Sequence, residues 1–187
     1  MLRLQAGEDL ALNELMTQWQ VPLVSFIYRY IGNQSEAADL AQETFVRVYQ
    51  NRLRYQPKAK FSSWLFTIAG NLCQNHLRWK NRHPTVSMTP NDDAGGTADL
   101  ADSFAGSERT PADAAVQNDL ARCVKEIIQS LPHDLKTVVL LFEYQDLGYD
   151  EISAVLGCSA KAVETRLYRA RKILREQLER LNAIKSR

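Results

Sequence analysis

Apolar and small residues recur at Ala37, Leu40, Ala41, Thr44, Phe45 and Val48, a spacing of threes and fours that predicts a helix from Ser35 to Tyr55 with one core-facing stripe. Upstream, Leu10, Leu15 and Trp19 begin one helical pattern. Val21 to Ile31 forms a denser one, with Pro22 near its start and Gly32-Asn33 as its break. Met16, Phe26 and Tyr30 read as core residues. Gln56-Pro57 ends the central helix, and a loop from Pro57 to Ser63 leads into another helix whose buried stripe is Phe61, Leu65, Ile68, Leu72 and Trp79.

Periodicity stops between Pro84 and Asp113, where three prolines, three glycines and many small polar residues replace it. Such a stretch buries too little apolar area to offset its ordering entropy, so it is expected to be a flexible linker between two domains. The period returns at Ala114, with Val116, Leu120, Cys123, Val124, Ile127, Ile128 and Leu131 ending before Pro132. Helices then follow over Asp134 to Glu143, Tyr149 to Leu156, and from the turn Gly157-Cys158-Ser159 to about Leu181. No strand pattern occurs, and the expected fold class is all-α with two small helical domains.

A helix-turn-helix fits the last two helices. Ser153 lets them cross closely, Gly157 takes a left-handed turn, and Ser159 caps the second helix. With Val163, Leu167, Ala170, Leu174 and Leu178 inward, Lys161, Thr165, Tyr168, Arg169 and Lys172 point outward beside Arg166. That cationic, hydrogen-bonding face has the inventory of a major-groove reader.

Charge sharpens the picture because a net +1 conceals segregation. From Thr44 to Asn91 there is no acid, while Arg47, Arg52, Arg54, Lys58, Lys60, Arg78, Lys80 and Arg82 are basic. From Lys161 onward nine basic residues face Glu164, Glu176 and Glu179, and between the two blocks the stretch from Pro84 to Asp113 carries six acids and only Arg109. Two basic blocks separated by an acidic strap are two surfaces suited to a polyanion. In the first block Thr67, Asn71, Asn75 and Arg78 share one helix face, with Lys60 and Ser62 before them and Lys80 after. Amides beside cations suit unpaired bases, although a solvated polar face has the same periodicity. The second stripe of the central helix, Asp39, Gln42, Glu43 and Val46, reads on its residues alone as a solvated face.

Several classes are excluded. The longest apolar run is Val138 to Phe142, far short of a membrane span, and the N-terminus has no signal-peptide pattern, so a cytoplasmic protein without membrane insertion is expected. Cys73, Cys123 and Cys158 have neither disulfide nor zinc-site spacing, and Cys73 with His76 makes only two ligands. His76, His83 and His133 do not gather around a nucleophile or carboxylate cluster, so no catalysis, metal or cofactor is expected.

The segments DLAQETF and FSSWLFTIAGNLCQNHLRW, followed by the helix-turn-helix, resemble the extracytoplasmic-function (ECF) group of bacterial sigma-70 factors. The resemblance runs from about Glu8 to Gln177, apart from the middle segment. It implies a region 2-like domain over residues 1–83, a linker over 84–113 and a region 4-like domain over 114–187. By the same resemblance, Asp39, Gln42, Glu43 and Val46 bind the clamp helices of RNA polymerase core, which also offers its flap to the factor. Lys60, Ser62, Thr67, Asn71, Asn75, Arg78 and Lys80 bind the promoter −10 element, with Tyr55 to Ser63 as a base-pocket loop. Ser159, Lys161, Thr165, Arg166, Tyr168, Arg169 and Lys172 bind the −35 element, where Glu164 departs from the basic residue often found in the family. An anti-sigma factor is implied as regulator. The alternative, a stand-alone helix-turn-helix regulator binding duplex DNA as a dimer, accounts for Tyr149 to Leu181 and leaves the acid-free block unexplained.

Overall fold

The computed structural model of the chain describes residues 1–58, 60–83 and 111–185. Among these the regular elements are all helical. The expected linker from Pro84 lies outside the described residues, except for Pro111 to Asp113, which open a helix.

The first unit is built from α1 (Leu2–Gln5), α2 (Leu10–Ile31), α3 (Gln34–Gln50), a 3-10 turn (Arg52–Arg54) and α4 (Phe61–Arg82). Gly32 closes α2 in the left-handed region at φ 88, which removes any penalty only because it lacks a Cβ. Asn33 then caps α3, its Oδ1 accepting from the Glu36 N–H at 2.9 Å. A two-residue turn between long helices makes α2 and α3 antiparallel neighbours. Ala37, Ala41, Phe45 and Val48 are buried with Leu23, Phe26 and Ile27 of α2 and with Leu65, Phe66 and Ala69 of α4. Thr44 joins that stripe because its hydroxyl donates to the Leu40 carbonyl at 2.7 Å, so its burial leaves no unpaired donor.

Four details depart from the sequence reading. The two patterns around Pro22 are one helix. Proline removes one backbone donor there, but Trp19 meets Phe61 and Phe66 edge-on at 5.9 and 6.2 Å while Leu23 and Phe26 are buried, so both halves are anchored to α4. The central helix ends at Gln50 rather than Tyr55, because the Asn51 amide turns back to the Arg47 carbonyl at 2.9 Å and closes the last turn. Trp79 is 51% exposed rather than part of the buried stripe. Finally, the N-terminal α1, which carries no long-range periodicity, buries Leu4 and donates Gln5 Nε2 to the Arg52 and Tyr55 carbonyls.

The second unit comprises α5 (Pro111–Ser130), α6 (His133–Tyr144), α7 (Tyr149–Leu156) and α8 (Ala160–Lys185). Val138, Leu141, Ile152, Val163, Leu167 and Ala170 form its interior. The turn between α7 and α8 is as expected: Gly157 is left-handed at φ 60, and Ser159 Oγ accepts from the Ala162 N–H at 3.2 Å. The two units touch, α4 packing on α7 and α2 on α5 and α6, so their buried residues form one continuous cluster.

Candidate nucleic-acid interface

α3 turns Asp39, Gln42 and Val46 to solvent, with Glu43 half-buried beside them and 2.7 Å from Arg47 Nε. The buried Ala37, Ala41 and Phe45 fix the rotation of the helix, so the core itself sets which stripe faces out. The result is an acidic and amide edge around one exposed valine.

α4 presents Asn71, Asn75 and Arg78 together on one exposed face. Lys80, expected with them, reaches back to α3, its Nζ 2.8 Å from Glu36 Oε1 while His76 Nε2 lies 2.9 Å from the other carboxylate oxygen. Burial alone would lift the Glu36 carboxyl, but the bonds from Lys80 and His76 outweigh it and hold it below the usual carboxylate range. The other three members of the set sit at the seam between the units. Ser62 is buried with its hydroxyl 3.5 Å from Glu151 Oε1, and the Lys60 ammonium is 3.2 Å from the same oxygen. The Thr67 hydroxyl donates to its own helix at Ser63 O, 2.7 Å away, and lies 3.5 Å from the Val155 carbonyl. In this arrangement α7 covers the first half of the α4 face and leaves the second half open.

On α8, Lys161, Thr165, Tyr168, Arg169 and Lys172 are exposed, Tyr168 by 70%. Ser159 serves as the helix cap. Arg166 is drawn inward, its guanidinium 3.1 Å from Asp134 and 3.2 Å from Cys158 Sγ, where it braces the helix-turn-helix against α6. Glu164 pairs with Lys161 at 2.7 Å, so one cation of the outward face is locally neutralised.

The seam holds polar groups that the sequence reading did not single out. Lys136 of α6 is 4% exposed, its ammonium 2.5 Å from the Gln129 carbonyl, 3.5 Å from the Tyr30 carbonyl and 4.8 Å from the Tyr30 ring centre. Burial lowers its pKa, and the same burial pushes the nearby Cys73 thiol up to about 12. The Tyr30 hydroxyl hydrogen-bonds His133 Nδ1, and Lys125 donates to the Tyr28 hydroxyl at 2.5 Å. The one local signal for this cluster was Lys136 itself, a lysine three and four residues before the buried Val139 and Leu140. Among the described residues no group of three His, Cys, Asp or Glu could hold a metal, and no helix is long and apolar enough to cross a membrane.

Comparison with known proteins places the chain in a family. The family model for Sigma-70 region 2 matches residues 15–83, and that for Sigma-70, region 4 matches residues 121–174. The chain is 32% identical over 184 residues to the RNA polymerase sigma-H factor of Pseudomonas aeruginosa, covering 96% of this chain and 92% of that one. It is 29% identical to the ECF RNA polymerase sigma-E factor of Haemophilus influenzae, covering 96% and 93%. Among solved structures it resembles CnrH in complex with the cytosolic domain of CnrY, with a TM-score of 0.67 and 25% identity over 95% of this chain and 93% of that one. The sigma factor RpoE of Bartonella quintana, solved with the anti-sigma factor NepR, shares the fold at a TM-score of 0.63 and 20% identity, covering 89% and 96%. The chain belongs to the sigma-70 family of RNA polymerase sigma factors, in its extracytoplasmic-function group.

Proposed function

We propose that the chain docks on RNA polymerase core through the outer stripe of α3, reads duplex DNA at the −35 element with α8, and captures unpaired −10 bases on α4. The observation that carries this reading is the separation of three chemically different outward faces. Asp39, Gln42 and Val46 lie on one helix, Asn71, Asn75 and Arg78 on a second, and Thr165, Tyr168, Arg169 and Lys172 on a third. The first two fall within the region 2 match and the third within the region 4 match. Residues 1–83 and 114–187 are then the two working domains, joined through 84–113, and the site of action is the cytoplasm. The stand-alone regulator leaves the whole region 2 match without a task.

Since Lys60, Ser62 and Thr67 face α7, promoter capture by the complete α4 set requires region 4 to move off α4. An anti-sigma factor that binds both units would stabilise the packed arrangement, because a ligand shifts an equilibrium toward the state it binds better. The role is transcription initiation, with no covalent chemistry by this chain. Run-off transcription with purified core polymerase tests the proposal: promoter-specific transcripts are expected only when the chain is added. Duplex binding without core and no transcript with it would contradict it.

A further inference from the structure

We propose that Trp79 is a stacking platform for one unpaired promoter nucleotide, continuing the amide face that precedes it. The inference rests on the reading that α4 meets single-stranded DNA. Trp79 lies four residues after Asn75 and eight after Asn71, so it extends their stripe by one turn rather than joining the core. Its indole is 51% exposed and lines a surface groove with Asn75, Arg78, Asn81 and Arg82. His83 backs the indole, the rings stacked with centroids 5.0 Å apart and planes 26° apart, while His83 Nδ1 lies 3.0 Å from the Trp79 carbonyl. Arg82 is held along the helix by its Nε–H bond to the Arg78 carbonyl at 3.2 Å.

This arrangement supplies what an unstacked nucleotide needs. The flat indole takes any base by its π-face, the Asn75 amide borders the groove where a base edge would lie, and Arg78 and Arg82 provide positive charge for the adjoining phosphates. The occupant is a polyanion with an aromatic base because the groove combines one large aromatic face with cations and amides, and among the described residues no carboxylate lines it. An apolar peptide would gain nothing from the two guanidinium groups.

The test uses holoenzyme reconstituted from core polymerase and the full chain, with a short mixed-sequence single-stranded oligodeoxynucleotide carrying 5-iododeoxyuridine. Long-wavelength irradiation is expected to crosslink the probe to Trp79. In anisotropy titrations Trp79→Ala should weaken binding by roughly 5- to 150-fold, the loss of one stacked base, while Trp79→Phe retains most of it. Asn71→Ala with Asn75→Ala serves as the parallel arm. If that double variant weakens binding and Trp79→Ala does not, the platform is refuted while the reading of α4 stands. If wild-type holoenzyme binds the strand no better than core alone, both fall. A Trp79→Ala variant that melts at lower temperature yet binds normally makes the indole a packing group and also refutes the proposal.

Discussion

The Lys60 ammonium lies 3.2 Å from a carboxylate oxygen of Glu151, joining the residue that precedes α4 to the first turn of α7. Around that pair the Ser63 hydroxyl donates to the Glu151 carbonyl at 3.2 Å, and the Glu151 carboxylate also accepts from the Gly148 N–H at 3.1 Å. Burial lifts the Glu151 carboxyl, but the Gly148 bond and Lys60 bring it below its ordinary value. Because the Lys60 side chain is 73% exposed, the pair itself contributes at most about 1 kcal/mol, and Lys60→Ala should leave the packed arrangement largely intact.

The pH dependence of the packing should come from His133. Burial lowers its pKa below the ordinary 6.5; Asp134 opposes this, Arg78, Lys136 and Arg166 reinforce it, and Tyr30 is its hydrogen-bond partner. Tyr30 and Arg78 belong to the first unit, so their part of the depression is lost when the units separate and His133 then binds a proton more readily. Packing is therefore fully favourable above pH 6.5 and weakens as the pH falls below it. Small-angle scattering should show the radius of gyration rising on acidification, and His133→Gln should remove most of that response. An identical pH profile in the variant would show that another group controls the seam.

Asp39→Ala with Gln42→Ala should weaken binding to core polymerase while leaving the fold intact. Both side chains are exposed and outside the core, where substitutions usually change stability by less than about 0.5 kcal/mol. The check is a titration against labelled core, with helical content followed by circular dichroism. Unchanged affinity would remove α3 from the docking surface.

Glu164→Ala should release Lys161 from its 2.7 Å partner. If Lys161 then reaches a phosphate, holoenzyme binding to a −35 duplex should strengthen and its salt dependence steepen by about one contact, a change of roughly 0.9 in the log–log slope. Affinity measured over a salt series reads both effects. A flat response would place Lys161 outside the DNA footprint.

Local physics made much of this legible in the sequence. The α3 stripe, the Asn71 and Asn75 face and the Gly157 turn each depend on residues within one or two helical turns, and periodicity with capping chemistry finds them. Trp79 escaped because periodicity assumes a partner along the whole helix. Near its end α4 is tied to α3 through Lys80 and Glu36, and Trp79 beside that pair is left exposed. The end of α3 depended on one asparagine side chain folding back on its own helix. The seam was beyond reach for another reason: Tyr30 and His133 are 103 residues apart, and Thr67 and Val155 are 88 apart. No local pattern announces such a pairing, and Ser62 and Thr67 look as available for DNA in the sequence as Asn71 does.

The division of labour between α4 and α8 is the centre of the account, and it is tested most directly by holoenzyme binding and transcription on two promoters, one fully paired and one pre-melted across the −10 region. Thr165→Ala with Arg169→Ala should weaken recognition of the paired promoter by roughly 1–3 kcal/mol per lost base contact, and pre-melting should not restore it. Asn71→Ala with Asn75→Ala should spare closed-complex binding and impair strand opening and capture of the melted region. If the asparagine variant loses closed-complex binding as severely as the Arg169 variant, or opens the paired promoter normally, the assignment of α4 to single-strand capture is contradicted.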